Sequence, residues 1–376
     1  MKIPKEVSEQ ILTIGESYIN HRGGIAGVIN SYSTRFETFK FIASYKPFTN
    51  KLVGIPYFLK AVYKLLIILF FDKKIKVVHL HSAAKGSFFR KLIIFVICKY
   101  FFKKSIVFHC HGSEFKDFFT KNKVFSFLVR FLVNRVDLVI CLSNSWKKFF
   151  SEKFSPRQVI VLENIIERPV TLLKNSSKSV NGTLKLLFLG SIGDRKGIFD
   201  VLEVFKINKD VFHGKLELII GGNGDIGRLQ NYIINNDLQE LVKYHGWVSG
   251  TKKAELLAES NLYILPSYNE GLPLSILEAM SYNLPIISTP VGGIPEIVFE
   301  GVNGFLIPPG DLSLLTKTLN LFLDNRNCIT DMGDQSSKVV IPYYEEGVIP
   351  KLTTLYTFLL MKIAERYPEK VSTISL

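Results

Sequence analysis

The sequence is poor in the residues that staple a chain. It has four cysteines, Cys98, Cys110, Cys141 and Cys328, with no paired spacing and no Cys-x-x-Cys. That excludes a disulfide framework or a zinc ribbon as the organising device, and a reducing cytoplasm is the expected compartment. The opening MKIPKEVSEQILTIGES lacks the basic-then-apolar run and small-residue cleavage site of a secretory signal, so export is not expected. Long apolar runs are also missing. YFLKAVYKLLIILFF (57–71), FFRKLIIFVICKYFFKK (88–104) and FKDFFTKNKVFSFLVRFLVNR (115–135) are each broken by Lys or Arg short of the ~18 residues that cross a bilayer. A spanning helix is not expected.

What the sequence has in quantity is apolar and basic side chains. At 47% hydrophobic and 21% charged residues it is globular in composition, and 376 residues suffice for two separate cores. The net charge of +14 belongs to one end: residues 1–180 carry 30 Lys and Arg against 11 Asp and Glu, whereas 181–376 carry 17 against 22. Basic residues interleaved with Phe, Leu and Ile suit helices lying in an anionic membrane interface, and also suit ordinary amphipathic helices packed on a sheet. The anionic membrane surface is the expected partner. Nucleic acid is not, because no binding module or aromatic stacking motif accompanies the charge.

Short apolar runs rich in branched residues alternate with helical patterns. The first series is ILTIGES, KVVHLH (76–81), SIVFHCH (105–111), VDLVICLS (136–143) and QVIVLEN (158–164). The second is LKLLFLG (184–190), LELIIGG (216–222), VKYHGWV (242–248), NLYILPS (261–267) and PIISTP (285–290). Continuous strands separated by helices predict parallel sheets covered on both faces, and two series predict two Rossmann-like domains. The stretch 167–183, rich in Ser, Asn and Lys, reads as the linker. Ligands of open parallel sheets bind beyond the carboxyl ends of the strands, so motifs just after strands are the candidates.

NLYILPS is followed by YNEGLPLSILEAM. Pro273 suits the first helical position and Gly271 permits close backbone approach, so the helix start offers N–H groups to an anion. Glu278 can accept two hydrogen bonds from a vicinal diol such as a ribose, and Glu270 precedes the helix. Pairing with the helix dipole accounts for one carboxylate, but not for both and not for the Gly-Leu-Pro break. IIGGNGDIGRL (219–229) contains Gly-x-Gly-x-x-Gly at Gly222, Gly224 and Gly227, yet the next strand ends in YHGWV without the acidic residue of a dinucleotide site. In HRGGIAGVIN (21–30), Gly23 and Gly24 suit either close approach to phosphates or a tight turn. In FHCHGSE (108–114), His109 and His111 fall on one strand face and Cys110 on the other, which argues against a three-ligand metal cluster.

The stretch EGLPLSILE resembles the E-x7-E motif of retaining glycosyltransferases with the GT-B fold, specifically their large family four. The longer ILPSYNEGLPLSILEAMSYNLPIISTPVGGIPEIVFEGVNGFLIPPGD (264–311) is similar to that family's donor-domain signature almost without gaps. The resemblance implies an α/β chain of two Rossmann-like domains facing a central cleft. These would be an acceptor domain over 1–170, completed by a C-terminal helix at 350–376, and a nucleotide-sugar domain over 180–345. It implies transfer of a hexose or related sugar from a nucleoside-diphosphate sugar to a hydroxyl, with retention. It places Glu278 on the donor ribose, and Glu270, Gly271, Leu272 and Pro273 at the donor sugar and diphosphate. Lys196, in LFLGSIGDRKGIFDVLEVF (187–205), matches the family's phosphate lysine. The family's arginine position is Ser191 here, so Arg195 is the candidate guanidinium, although Arg195 and Lys196 also suit a solvated turn. Gly222 and the Gly23–Gly24 loop would complete the donor site, and His111 would line the transfer site.

Fixed cations can stabilise a departing nucleoside diphosphate. With no Asp-x-Asp in the sequence, neither a metal nor another cofactor is expected. The expected setting is peripheral, at the cytoplasmic face of the plasma membrane. The acceptor would be lipid-linked or a glycan of cell-surface polysaccharide or lipopolysaccharide synthesis. A soluble acceptor and a noncatalytic nucleotide-binding scaffold are the alternatives.

Overall fold

The computed structural model describes residues 1–19, 23–47, 53–169 and 182–366. Most of the linker (170–181), His21 and Arg22 of the glycine loop, and residues 367–376 lie outside them. The chain divides into two units, one of Met1–Ile165 with the chain from Glu345 onward, the other of Ile166–Tyr344. The final helix runs Glu345–Arg366 and so starts earlier than about 350. Pro350 lies more than one turn inside it, and the acidic first turn of Glu345 and Glu346 supplies the favourable N-terminal charge.

The first unit holds β1 (Ile11–Glu16), β2 (Lys40–Tyr45), β3 (Val77–Ser82), β4 (Ser105–Cys110), β5 (Leu138–Cys141) and β6 (Val159–Val161). All pair in parallel, in the order β2-β1-β3-β4-β5-β6. The second unit holds β7 (Leu184–Leu189), β8 (Leu216–Gly221), β9 (Val242–Tyr244), β10 (Leu262–Leu265), β11 (Ile286–Ser288) and β12 (Gly304–Leu306). It is likewise parallel, ordered β12-β11-β10-β7-β8-β9. Both are doubly wound sheets, the two Rossmann-like domains that the alternating pattern predicts. In each, the first strand is flanked by neighbours reached in opposite directions, which opens a crevice at its carboxyl end. For the second unit that crevice lies between the loops after β7 and β10; for the first, between those after β1 and β3.

Two strands escape the sequence pattern, β2 and β12, and both are edge strands. β2 (KFIASY) buries only alternate residues, and β12 is three residues long, so neither shows the continuous apolar run of a central strand.

The helix Gly54–Phe71, which connects β2 to β3, buries Ala61, Leu65 and Leu69 at four-residue spacing. Its other face exposes Ile55, Leu59, Tyr63, Phe70 and Phe71 together with Lys60 and Lys64. At 18 residues it is long and apolar enough to cross a membrane by composition, contrary to the expectation from its interrupting lysines. The final helix passes the same test while burying Val348, Ile349, Leu352, Tyr356 and Leu359. Both are packed on the first unit through their buried faces, and length and composition do not register that packing.

Candidate functional site

In the second unit the crevice is built by three loops. The turn after β7 carries Ser191, exposed, and then Asp194–Lys196 as a single 3₁₀ turn leading into the helix Ile198–Ile207. It is laced to the loop after β8 by main-chain bonds, Ile192 N to Asn223 O at 2.6 Å and Asp225 N to Ile192 O at 3.1 Å. Gly222 is required there, because a Cβ on it would lie 1.8 Å from Gly190 O. Gly224 packs on Ile192, but Gly227 faces open space, and the helix Ile226–Asn235 is capped by Asp225 Oδ1 from Arg228 N at 3.2 Å. A carboxylate thus stands where the Gly-x-Gly-x-x-Gly pattern would put a pyrophosphate.

The loop after β10 brings Glu270 into this crevice. Its side chain is 7% exposed, and Oε1 accepts from both Lys196 Nζ and Ser267 Oγ, the latter at 2.8 Å. Arg195, exposed, donates from Nη1 to Asn269 O at 3.0 Å, so it braces the same loop from outside. Gly271, Leu272 and Pro273 are buried. Pro273 is the N-cap and not the first helical residue; with ψ at 123° it is extended, and the helix is Leu274–Ser281. The Glu270–Gly271 backbone is backed by the loop after β11, where Gly293 N donates to Gly271 O at 2.7 Å. Gly292, at φ +60°, sits so close that a Cβ would fall 2.1 Å from Glu270 O.

Glu278, one turn into that helix, receives Lys253 Nζ on Oε1 at 2.6 Å. The sequence pattern points to neither Lys253 nor Ser267, since each is recruited by the fold. Both carboxylates therefore have the same design: one oxygen is fixed by a lysine, and Oε2 has no hydrogen-bond partner among the described residues. Two fixed acceptors within reach of fixed cations suit a polyhydroxylated, anionic ligand.

In the first unit, His111 follows β4 and is held by its N–H to Ser82 O at 2.8 Å. It belongs to a histidine ladder that includes His79 and His81 of β3, which the sequence reading did not single out. His81 Nδ1 and His111 Nε2 are 2.9 Å apart, His79 Nε2 and His109 Nδ1 3.2 Å, and His79 Nδ1 meets Tyr356 Oη at 2.5 Å. Burial pushes His79 and His111 down to about 3 and His81 and His109 well below the usual imidazole range, so all four are neutral near pH 7. Single-strand periodicity opposes a three-ligand cluster, yet donor atoms of His79, His81 and His109 lie within 4.8 Å of one another, because adjacent parallel strands put His81 opposite His109. His79 and His81 lie with their rings nearly parallel, at 14° and 4.4 Å between centroids, whereas His79 and His109 meet through ring nitrogens, so two of the three are already engaged with each other.

Gly23 and Gly24 open the helix Gly24–Ser33, with space around Gly24. The start of that helix is already engaged, since Glu16 Oε1 accepts from Ala26 N at 2.9 Å. Glu16 also lines a cavity of ≈ 300 Å³ at the carboxyl end of this sheet.

Residues 170–339 match the family model described as glycosyl transferases group 1, and residues 31–168 that described as glycosyltransferase family 4. An uncharacterized glycosyltransferase of Haemophilus influenzae is 27% identical over 61% of this chain and 64% of its own length. The amylovoran biosynthesis glycosyltransferase AmsK of Erwinia amylovora is 27% identical over 49% of this chain and 46% of its own. The chain thus spans less than two thirds of these relatives. Among solved structures, sucrose-phosphate synthase from Thermosynechococcus elongatus superposes with a TM-score of 0.77 at 15% identity, covering 94% of this chain and 99% of that one. Anabaena HepE, solved with UDP and glucose, gives 0.70 at 16%, covering 94% and 99%. At such identities the likeness is one of fold.

Proposed function

Because this chain belongs to the group 1, family-4 glycosyltransferases of the GT-B fold, we propose that it moves a sugar from a nucleoside-diphosphate sugar to a hydroxyl of a glycan or lipid-linked precursor in polysaccharide synthesis. The observation that carries this reading is the matched pair Glu270 and Glu278, each locked by a lysine and each with an oxygen to offer. On it, Glu278 takes the donor ribose and Glu270 the sugar hydroxyls. On the same reading Lys196 and Arg195 meet the charge that the departing diphosphate gains, electrostatic work that fixed cations can do without a metal.

Retention follows from a same-face displacement. The bond from the anomeric carbon to the phosphate oxygen breaks, the acceptor oxygen bonds to that carbon on the same face, and its proton passes to the departing phosphate. No enzymic nucleophile is needed. His111, neutral, serves as a hydrogen-bonding wall of the transfer site. A thermal-shift panel of UDP, GDP and ADP, with and without EDTA, tests the reading. One nucleotide should raise the melting temperature regardless of EDTA, and Glu278→Ala should abolish that rise. His111→Ala should keep it while lowering transfer. If no nucleotide stabilises the chain, the donor assignment fails.

The same proposal places the protein at the cytoplasmic face of an anionic membrane, on the apolar, lysine-bearing face of Gly54–Phe71. Sedimentation with anionic but not zwitterionic vesicles is the expected result, and equal recovery in the supernatant of both would remove the membrane from the account.

A further inference from the structure

The cavity of the first unit is lined by Glu16, Tyr45, His81, Gly86, Arg90 and Lys91, among others. Its volume of ≈ 300 Å³ suits a small polar group such as one sugar or acid. Lys91 is only 1% exposed. Its ammonium has three donors, but its hydrogen bond is to Ser44 Oγ at 2.8 Å, and Ser44 spends its own proton on Gly15 O at 2.8 Å. No carboxylate comes within ion-pair distance of Lys91 or Arg90 among the described residues. Arg90 lies over the Tyr45 ring, 4.4 Å from its centroid, and its buried Nε has no partner.

Burying an ammonium without an ion-pair partner is unfavourable, and a bound counter-anion would offset that cost. Glu16 lies in the field of both cations, but its Oε1 is turned to Ala26 N and among the described residues it forms no ion pair with either, so it compensates them only at a distance. Gly86 adds to the same surface the start of an eleven-residue helix, Gly86–Val96, whose free N–H groups favour an anion. Three cationic features thus converge on one cavity.

We propose that this cavity binds the oxyanion of an acidic acceptor, a carboxylate or a phosphate, between Lys91, Arg90 and the helix start at Gly86. The proposal rests on the glycosyl-transfer reading for the word acceptor, and on the cavity alone for the anion. It makes the hydroxyl-bearing substrate a uronic acid, a hydroxy acid or a sugar phosphate.

Calorimetric titration of the full chain with D-glucuronate, glucose 1-phosphate and neutral glucose tests it, the two acids separating carboxylate from phosphate. At least one acid should bind in the millimolar range and glucose should not. Lys91→Met should weaken the acid at least tenfold and leave nucleotide binding unchanged. Arg90→Gln, at a partly exposed position, should act in the same direction and keeps the test decisive if Lys91→Met does not fold. Affinity should also fall between pH 7 and 9, because burial brings Lys91 down to about 7 and its charge is lost there. The other titratable groups facing it are Arg90, Glu16, Tyr45 and His81. Equal binding of acids and glucose, unchanged affinity in both variants, or loss of nucleotide binding in both would overturn the proposal, the last by assigning these cations to the donor. Nucleotide binding by the parent is scored separately, so its absence strikes the donor reading and not this one.

Discussion

The two units solve the same topological problem with opposite electrostatics. In the second, the cations at the switch point are already matched, Lys196 with Glu270 and Lys253 with Glu278. In the first, Arg90 and Lys91 share their cavity with Glu16, but among the described residues no ion pair joins either of them to it, and Glu16 is turned to Ala26 N instead. Residues 1–180 carry an excess of 19 positive charges, whereas 181–376 carry an excess of 5 negative ones. The difference teaches that local pairing, more than net charge, says what a crevice lacks. The acidic half presents carboxylates each held by a lysine; the basic half presents cations that no carboxylate holds in an ion pair among the described residues.

That contrast can be broken deliberately. Lys196→Ala leaves Glu270 buried without its counter-ion and, on the proposed donor reading, removes a charge meant for the diphosphate, so kcat/KM for transfer should drop about 100-fold or more, read by donor turnover. Gly292→Ala places a methyl against Glu270 O at a backbone angle that L-residues avoid, so unfolding free energy should fall by about 3 kcal/mol in denaturant titration.

Acid should act on the first unit. Its buried His79 titrates at about 3, against 6.5 for an unperturbed imidazole, so the unfolded chain binds more protons in between. Stability is therefore full above pH 6.5 and declines as pH falls, by about 2 kcal/mol at pH 5 from His79 alone, measurable by urea titration across that range. Flat stability from pH 7 to 5 would contradict the buried ladder. Smallest is Glu278→Gln, which keeps an acceptor oxygen but loses the charge held by Lys253; nucleotide affinity should weaken about tenfold, by calorimetry.

Of the twelve strands among the described residues ten are legible in the sequence: the eight central ones are apolar on both faces, and the edge strands β6 and β9 still carry short apolar runs. The missing pair, β2 and β12, sit at edges where one face is wet or the strand is too short to show a period. The Glu270 and Glu278 pair is legible for the same local reason, since both flank one turn. Their lysines are not, for Lys196 and Glu270 stand 74 residues apart and meet only through the adjacency of β7 and β10. The histidine ladder is half legible: alternation on β4 pairs His109 with His111, but register with β3 is needed to add His79 and His81. Lys91 is illegible in kind, since in the run FFRKLIIFV a lysine reads as the polar face of a helix, and here it points inward.

The final helix belongs to the unit that begins the chain. On a ribosome, the first six strands emerge before the second unit, yet His79 has no Tyr356 to bond until that whole unit has been made. The second unit is continuous and can finish folding as it leaves the exit tunnel, while the first must wait with part of its core open. In this chain the unit that starts first is completed after the other, and a nascent polypeptide stalled before Glu345 would hold a finished second unit and an unfinished first one.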